Sequence, residues 1–62
     1  MYEAEIISTG YVNVRIGPGK EHEVIYKVYP EMTIKVLDDT DPVWWKISTF
    51  DGVGYIMSQY VM

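Results

Sequence analysis

Apolar side chains recur at every second position through almost the whole of this chain. Tyr2, Ala4 and Ile6 alternate with Glu3 and Glu5, and Val12, Val14 and Ile16 alternate with Tyr11, Asn13 and Arg15. The same beat runs through Val24–Val28, Met32–Leu37, Val43–Ser48 and Val53–Ile56. A strand turns successive side chains to opposite faces, whereas a helix needs apolar residues three and four apart. No helical spacing of useful length is present. Each run therefore predicts a half-buried strand. Its inward set would be Val12, Val14 and Ile16; Val24, Tyr26 and Val28; Met32, Ile34 and Val36; Val43, Trp45 and Ile47; or Val53 and Tyr55. β-branched and aromatic residues fill most of these positions, as a pleated surface prefers.

Turn formers fall between the runs. Gly10 separates the first two, and Gly17-Pro18-Gly19-Lys20-Glu21-His22-Glu23 reads as a loop in which both glycines are free to take positive φ. Pro30-Glu31 sits in a short connection, and Asp38-Asp39-Thr40-Asp41-Pro42 combines turn residues with a proline. Asp51-Gly52 predicts a two-residue hairpin turn with positive φ at both central positions. Met57-Ser58-Gln59-Tyr60 suits a single 3₁₀ turn before a last short strand. Five or six short strands at spacings of about 8–12 residues imply an all-β domain, either a small barrel or a tight sandwich. A closed barrel is preferred, because it leaves few exposed edges in a chain too short for two full sheets.

Size sharpens the argument. At 62 residues the chain holds at most one domain, and a core of that size rarely supplies more than about 3–5 kcal/mol. Disulfides are impossible without cysteine, and a lone histidine makes a structural zinc site a poor fit. Stability must come from packing. Five basic against nine acidic side chains, a net charge of -4, give no footprint for nucleic acid. No apolar run is long enough for a membrane span. Met1-Tyr2-Glu3-Ala4-Glu5 has no basic region followed by an apolar stretch, so no secretory signal is expected here. That start fits a cytoplasmic protein and equally a domain taken from a larger secreted one, with Met1 added.

Three segments together resemble the bacterial SH3 (SH3b) family. Tyr11-Val12-Asn13-Val14-Arg15-Ile16-Gly17-Pro18 is similar to its aliphatic-Asn-Val-Arg-x-Gly-Pro signature. Val24–Val28 and Met32–Leu37 resemble its pair of strands around a polar turn, with Pro30-Glu31 where a glycine often stands. Trp44-Trp45-Lys46-Ile47, then Asp51-Gly52-Val53-Gly54-Tyr55-Ile56 and Ser58-Gln59-Tyr60-Val61, resemble its closing pattern. The resemblance runs from about Ala4 to Val61, so the whole chain is expected to be one such domain. It implies a small SH3-like barrel of five to seven short strands. It also implies a module that tethers envelope or secreted proteins to bacterial cell wall, often beside a peptidoglycan hydrolase. An extracellular or envelope location follows if the parent protein is secreted.

Candidate chemistry is sparse. His22 lies between Glu21 and Glu23 in a Gly/Pro loop with no evident nucleophile, and reads as a solvated loop residue. Ser8, Ser48 and Ser58 lie in no nucleophile context. Asp38, Asp39 and Asp41 do not continue as a calcium loop and read as a polar turn. Gly17–Lys20 lacks the spacing of a phosphate loop, and Glu21 stands where Ser or Thr belongs. No cofactor or metal and no catalytic residue is expected. Arg15 suits carbonyls of the Gly17–Glu23 loop, and Asn13 suits a loop cap. Gly54 suggests close backbone approach or a bulge beside Trp45.

The aromatic residues are more informative. Nine of them exceed what so small a core needs, so some either line an exposed groove for sugar or extended peptide, or cover a second small core. Tyr11, Asn13, Tyr29, Trp44 and Tyr60 are the candidate ligand-binding residues. Trp44 is the preferred platform, since Trp45 and Ile47 share the inward parity. The expected function is non-catalytic binding of cell-wall peptidoglycan or its peptide part. The alternative is a protein–protein or intramolecular module that positions a neighbouring domain. A monomer is expected, with domain swapping the other arrangement open to a small β module.

Overall fold

The computed structural model describes residues 1–62. Six strands form one antiparallel sheet: β1 (Tyr2–Glu5), β2 (Val12–Arg15), β3 (Val24–Val28), β4 (Thr33–Asp38), β5 (Trp44–Thr49) and β6 (Gly52–Met57). Their spatial order is β1-β4-β5-β6-β2-β3. All six predicted runs are strands, and Ser58–Tyr60 forms the expected 3₁₀ turn. The sheet curls into a body of 25 × 23 × 20 Å, an all-β arrangement consistent with a small SH3-like fold.

Hydrogen bonds between edge strands do not close the sheet, since β1 pairs only with β4 and β3 only with β2. Other links bring the ends together. Ile6 forms an isolated bridge with Val61, and Glu5 and Met62 exchange backbone hydrogen bonds of 2.9 and 3.0 Å. The Tyr26 hydroxyl donates to the Gly52 carbonyl at 2.8 Å. Burial pushes the Tyr26 phenol above its ordinary pKa, so it remains a donor there.

Ten buried side chains make the core: Ala4, Ile6, Val12, Val14, Val28, Ile34, Val36, Ile47, Ile56 and Val61, with Tyr26, Met32, Trp45 and Tyr60 packed against them. The ten are apolar, and of the polar atoms packed against them the Trp45 Nε1 is buried without a hydrogen-bond partner. Burying such side chains is worth roughly 1.5–3 kcal/mol each. The inward parity read from the sequence holds at Ala4 and Ile6, Val12 and Val14, Val28, Ile34 and Val36, and Ile47, all of them buried.

It fails at three kinds of position. Tyr2, Val24 and Val43 are exposed; the first two open their strands and Val43 precedes β5. Ile16 is 59% exposed; β2 ends at Arg15, and the β2–β3 register shifts between Val14 and Arg15, so the alternation does not carry through. In β6 the parity is reversed, with Gly54 and Ile56 inside and Val53 exposed. The reason is steric: a Cβ on Gly54 would lie 2.5 Å from Val14 Cγ1 and 3.0 Å from the Arg15 carbonyl oxygen. Only glycine lets β2 and β6 approach so closely. Gly54 stands opposite Ile47, not Trp45.

The turns also differ from expectation. In the β5–β6 hairpin Thr49 pairs with Gly52, so Phe50 and Asp51 form the tip and positive φ falls on Gly52 alone, at 133°. Gly17 and Gly19 do not have positive φ. They are buried instead, and a Cβ on Gly17 would lie 2.7 Å from the His22 ring. The residue that takes positive φ in a connection is Glu31, at 71°. It follows Pro30 in a turn closed by Met32 N–H to the Tyr29 carbonyl at 3.1 Å, a pattern in which a left-handed third residue is usually glycine.

Candidate functional site

Strands β2 and β3 pair so that Val12 meets Val28, Asn13 meets Lys27 and Val14 meets Tyr26. Val12, Val14 and Val28 are buried, which turns Asn13 and Lys27 to the outer face. Tyr11 and Tyr29 stand just beyond the Val12–Val28 pair on that face. Their ring centroids lie 6.5 Å apart with planes tilted by 54°, a separation within the range of favourable aromatic pairs. The Lys27 Nζ sits 5.2 Å from the Tyr11 ring centroid, within reach of a cation–π contact. Tyr11 is 57% and Tyr29 55% exposed. Both rings are thus fixed by neighbours yet open to solvent.

Three of the five residues singled out in the sequence meet here: Tyr11, Asn13 and Tyr29. Trp44 and Tyr60 are half-buried, and no ring pairing or hydrogen bond joins them to the cluster. Tyr60 packs against the core from the 3₁₀ turn. Trp44 is held through its backbone, whose N–H donates to Asp41 Oδ1 at 2.9 Å. The exposed pair of rings is Tyr11–Tyr29 and does not include Trp44; Phe50, alone at the β5–β6 turn, is the most exposed single ring.

Lys27 was missing from the sequence reading. One signal for it existed, because Lys27 and Tyr29, just past the end of β3, share outward parity. Its position opposite Asn13 depends on the register shift at Val14/Arg15, and alternation alone does not reveal a bulge.

Arg15 anchors the loop beside this face. Its Nη1 donates to the Lys20 carbonyl at 3.0 Å and the His22 carbonyl at 2.9 Å, as its fork of donors suggested. One guanidinium thus organises the loop from Ile16 to Glu23, with a backbone bond from Ile16 N–H to the Glu23 carbonyl at its base. Asn13 is not used in this way, and its side chain makes no hydrogen bond within the chain.

The residues weighed for catalysis are occupied elsewhere. His22 stands 3.5 Å from Glu21 and packs on Gly17. Ser58 Oγ donates to the Pro42 carbonyl at 2.7 Å, and Ser8 Oγ donates to the Gly10 carbonyl. None of these pairs joins a nucleophile to a base.

Comparison with protein families gives one match. The family model for the bacterial SH3 domain matches residues 10–62, which take in β2 to β6 and the closing 3₁₀ turn. No curated protein matches the chain.

Proposed function

We propose that this chain, which belongs to the bacterial SH3 domain family, binds cell-wall peptidoglycan, at its peptide part, through the outer face of β2 and β3. The family is one of binding modules, and non-catalytic recognition is the role its fold suits. One observation carries the choice of face: an exposed Tyr11–Tyr29 pair with Asn13 and Lys27 beside it. Rigid aromatic surface lowers the ordering cost of gripping an extended ligand, and nearby polar groups set its orientation.

Retention on purified sacculi tests the reading. The wild-type domain is expected to co-sediment, and Tyr11→Ala with Tyr29→Ala together to weaken retention about tenfold or more. Both rings are exposed, so thermal unfolding of this double variant should stay close to wild type. Failure of the folded wild type to co-sediment ends the wall reading. Unchanged retention in the double variant moves the site elsewhere, and Trp44→Ala is then the next variant.

A second reading is favoured by charge. A net charge of -4 opposes attraction to the phosphate-rich polymers that accompany many walls, and suits docking against a neighbouring domain or protein. The domains that adjoin this one in its parent chain separate the two: a peptidase or amidase favours the wall, and a cytoplasmic regulatory domain favours docking.

A further inference from the structure

From the same face we infer a finer specificity: the β2–β3 surface accepts an extended peptide that carries a carboxylate, which Lys27 binds. This rests on the choice of face made above, and its test separates the two.

The first observation is the makeup of the cluster. Tyr11, Asn13, Lys27 and Tyr29 can all donate hydrogen bonds, and none carries negative charge. That is unusual in a chain with nine acidic and five basic side chains. The one ion pair in the molecule joins His22 to Glu21, so no carboxylate of the chain neutralises Lys27. Its ammonium rests over the Tyr11 ring at 5.2 Å. A ring face orients a cation without removing its capacity to bond an anion on the other side.

The second observation is the strand that carries Lys27. β3 ends the sheet, and its outer backbone groups pair with no other strand. An extended peptide can add there by main-chain hydrogen bonds, leaving alternate side chains to supply specificity. The register shift spoils the Val24–Ile25 end of this edge. Tyr26–Val28 remains regular, and Lys27 lies at its centre. A peptide strand beside Tyr26–Val28 would therefore set one of its side chains, or its end, next to Lys27 and Tyr29.

The carboxylate has two possible sources, a free C-terminus or an acidic side chain. Three acetylated tetrapeptides distinguish them: Ala-Gly-Ala-Ala with a free acid, the same peptide as its C-terminal amide, and Ala-Gly-Glu-Ala as its amide. Each is titrated into ¹⁵N-labelled domain at low salt, with a neutral N-acetylglucosamine oligomer as the fourth probe. The expected result is shifts at Asn13, Lys27 and Tyr29, with at least one acidic peptide bound about three- to fivefold tighter than the uncharged amide. That margin should shrink with added salt. It should vanish in Lys27→Met, which keeps the stem and removes the charge. Equal binding of acid and amide peptides, no binding of any peptide, a preference for the glycan, or an unchanged margin in Lys27→Met overturns the inference. Sacculus retention with equal acid and amide binding leaves the wall reading standing without carboxylate recognition. The reverse pattern leaves a carboxylate site on a domain with another target.

Discussion

Two antiparallel pairs of strands in this molecule are built on different principles. β5 and β6 run in unbroken register through six pairs, from Trp44–Met57 to Thr49–Gly52, around a tip of Phe50 and Asp51. β2 and β3 share a shorter ladder with a register shift, and the loop from Ile16 to Glu23 joins them. The first pair is held by its backbone ladder and by Ile47 and Ile56, both fully buried. The second has a ladder of its own and buries Val12, Val14 and Val28, but its loop is held by side chains, with Arg15 on two loop carbonyls and the His22 ring against Gly17. The regular pair therefore acts as scaffold. The irregular pair exposes Tyr11, Lys27 and Tyr29 at its outward positions, whereas Trp44, Lys46 and Tyr55 of the regular pair are half-buried.

Gly54 is where the two meet, and changing it should have the largest effect. A methyl group there collides with Val14 from β2 and with the Arg15 carbonyl, which is backbone and cannot swing aside. Gly54→Ala is expected to cost about 1–3 kcal/mol by overpacking, a fall in Tm on the order of 10 °C for a domain of this size. Thermal unfolding followed by near-UV dichroism measures it. A variant as stable as wild type would mean that the two pairs are not wedged together at this point. Arg15→Met comes next. It keeps the stem but loses two charge-assisted hydrogen bonds, for about 1–2 kcal/mol. Amide exchange should quicken across Gly17–Glu23 while β5 and β6 keep their protection. Equal loosening of both pairs would erase the distinction between them.

Much of this arrangement was legible in the sequence. Alternation located all six strands, and the donor geometry of Arg15 pointed to the loop it holds. What escaped was set by contacts between distant segments. The inward parity of β6 reversed because glycine offers no side chain to a pattern count, although it was the residue the core required at that place. Ile16 looked like a core residue until the strand was seen to end before it. The Tyr11–Tyr29 pair depended on register across a loop and a bulge, which period-two reasoning cannot supply. The sequence groups Tyr11, Asn13 and Tyr29 with Trp44 and Tyr60 as candidates, and the meeting of the first three with Lys27 belongs to the fold.

The exit from β3 offers a change of the opposite sign. Glu31 holds φ of 71°, a conformation that places Cβ against backbone oxygen in any residue but glycine. Glycine relieves that strain and adds freedom to the unfolded chain, so the net gain is smaller than the strain itself. Glu31→Gly is expected to stabilise the domain by about 0.5–1 kcal/mol, read from the midpoint of urea unfolding at unchanged slope. A destabilised variant would mean that the Glu31 side chain contributes to the turn, and that this irregular half is more finely adjusted than its backbone suggests.

Acid separates the two pairs most gently. The lead-in to β5 is fixed by carboxylates, whereas the β2–β3 loop is fixed by a guanidinium. Asp41 Oδ1 accepts from Trp44 N–H at 2.9 Å and Val43 N–H at 2.8 Å, and these backbone bonds hold its pKa below the ordinary aspartate range. Asp38 is lowered in the same direction by the Thr40 backbone N–H and then by the Thr40 hydroxyl. A depressed carboxylate pKa means that the unfolded chain takes up protons first. The contribution is therefore complete above the ordinary aspartate pKa and is lost as pH falls through the lowered folded values. Both groups are exposed, so the effect on global stability is small and is best read locally. Below the ordinary aspartate range, the amide signals of Thr40, Val43 and Trp44 should titrate with the two aspartates they bond. Asp41→Asn keeps an acceptor oxygen but cannot be protonated in this range, so the Val43 and Trp44 signals should then hold steady in acid. If they still move with the wild-type midpoint, the carboxylate is not what fixes the entry to β5, and the contrast between an anion-capped pair and a cation-stapled one does not hold.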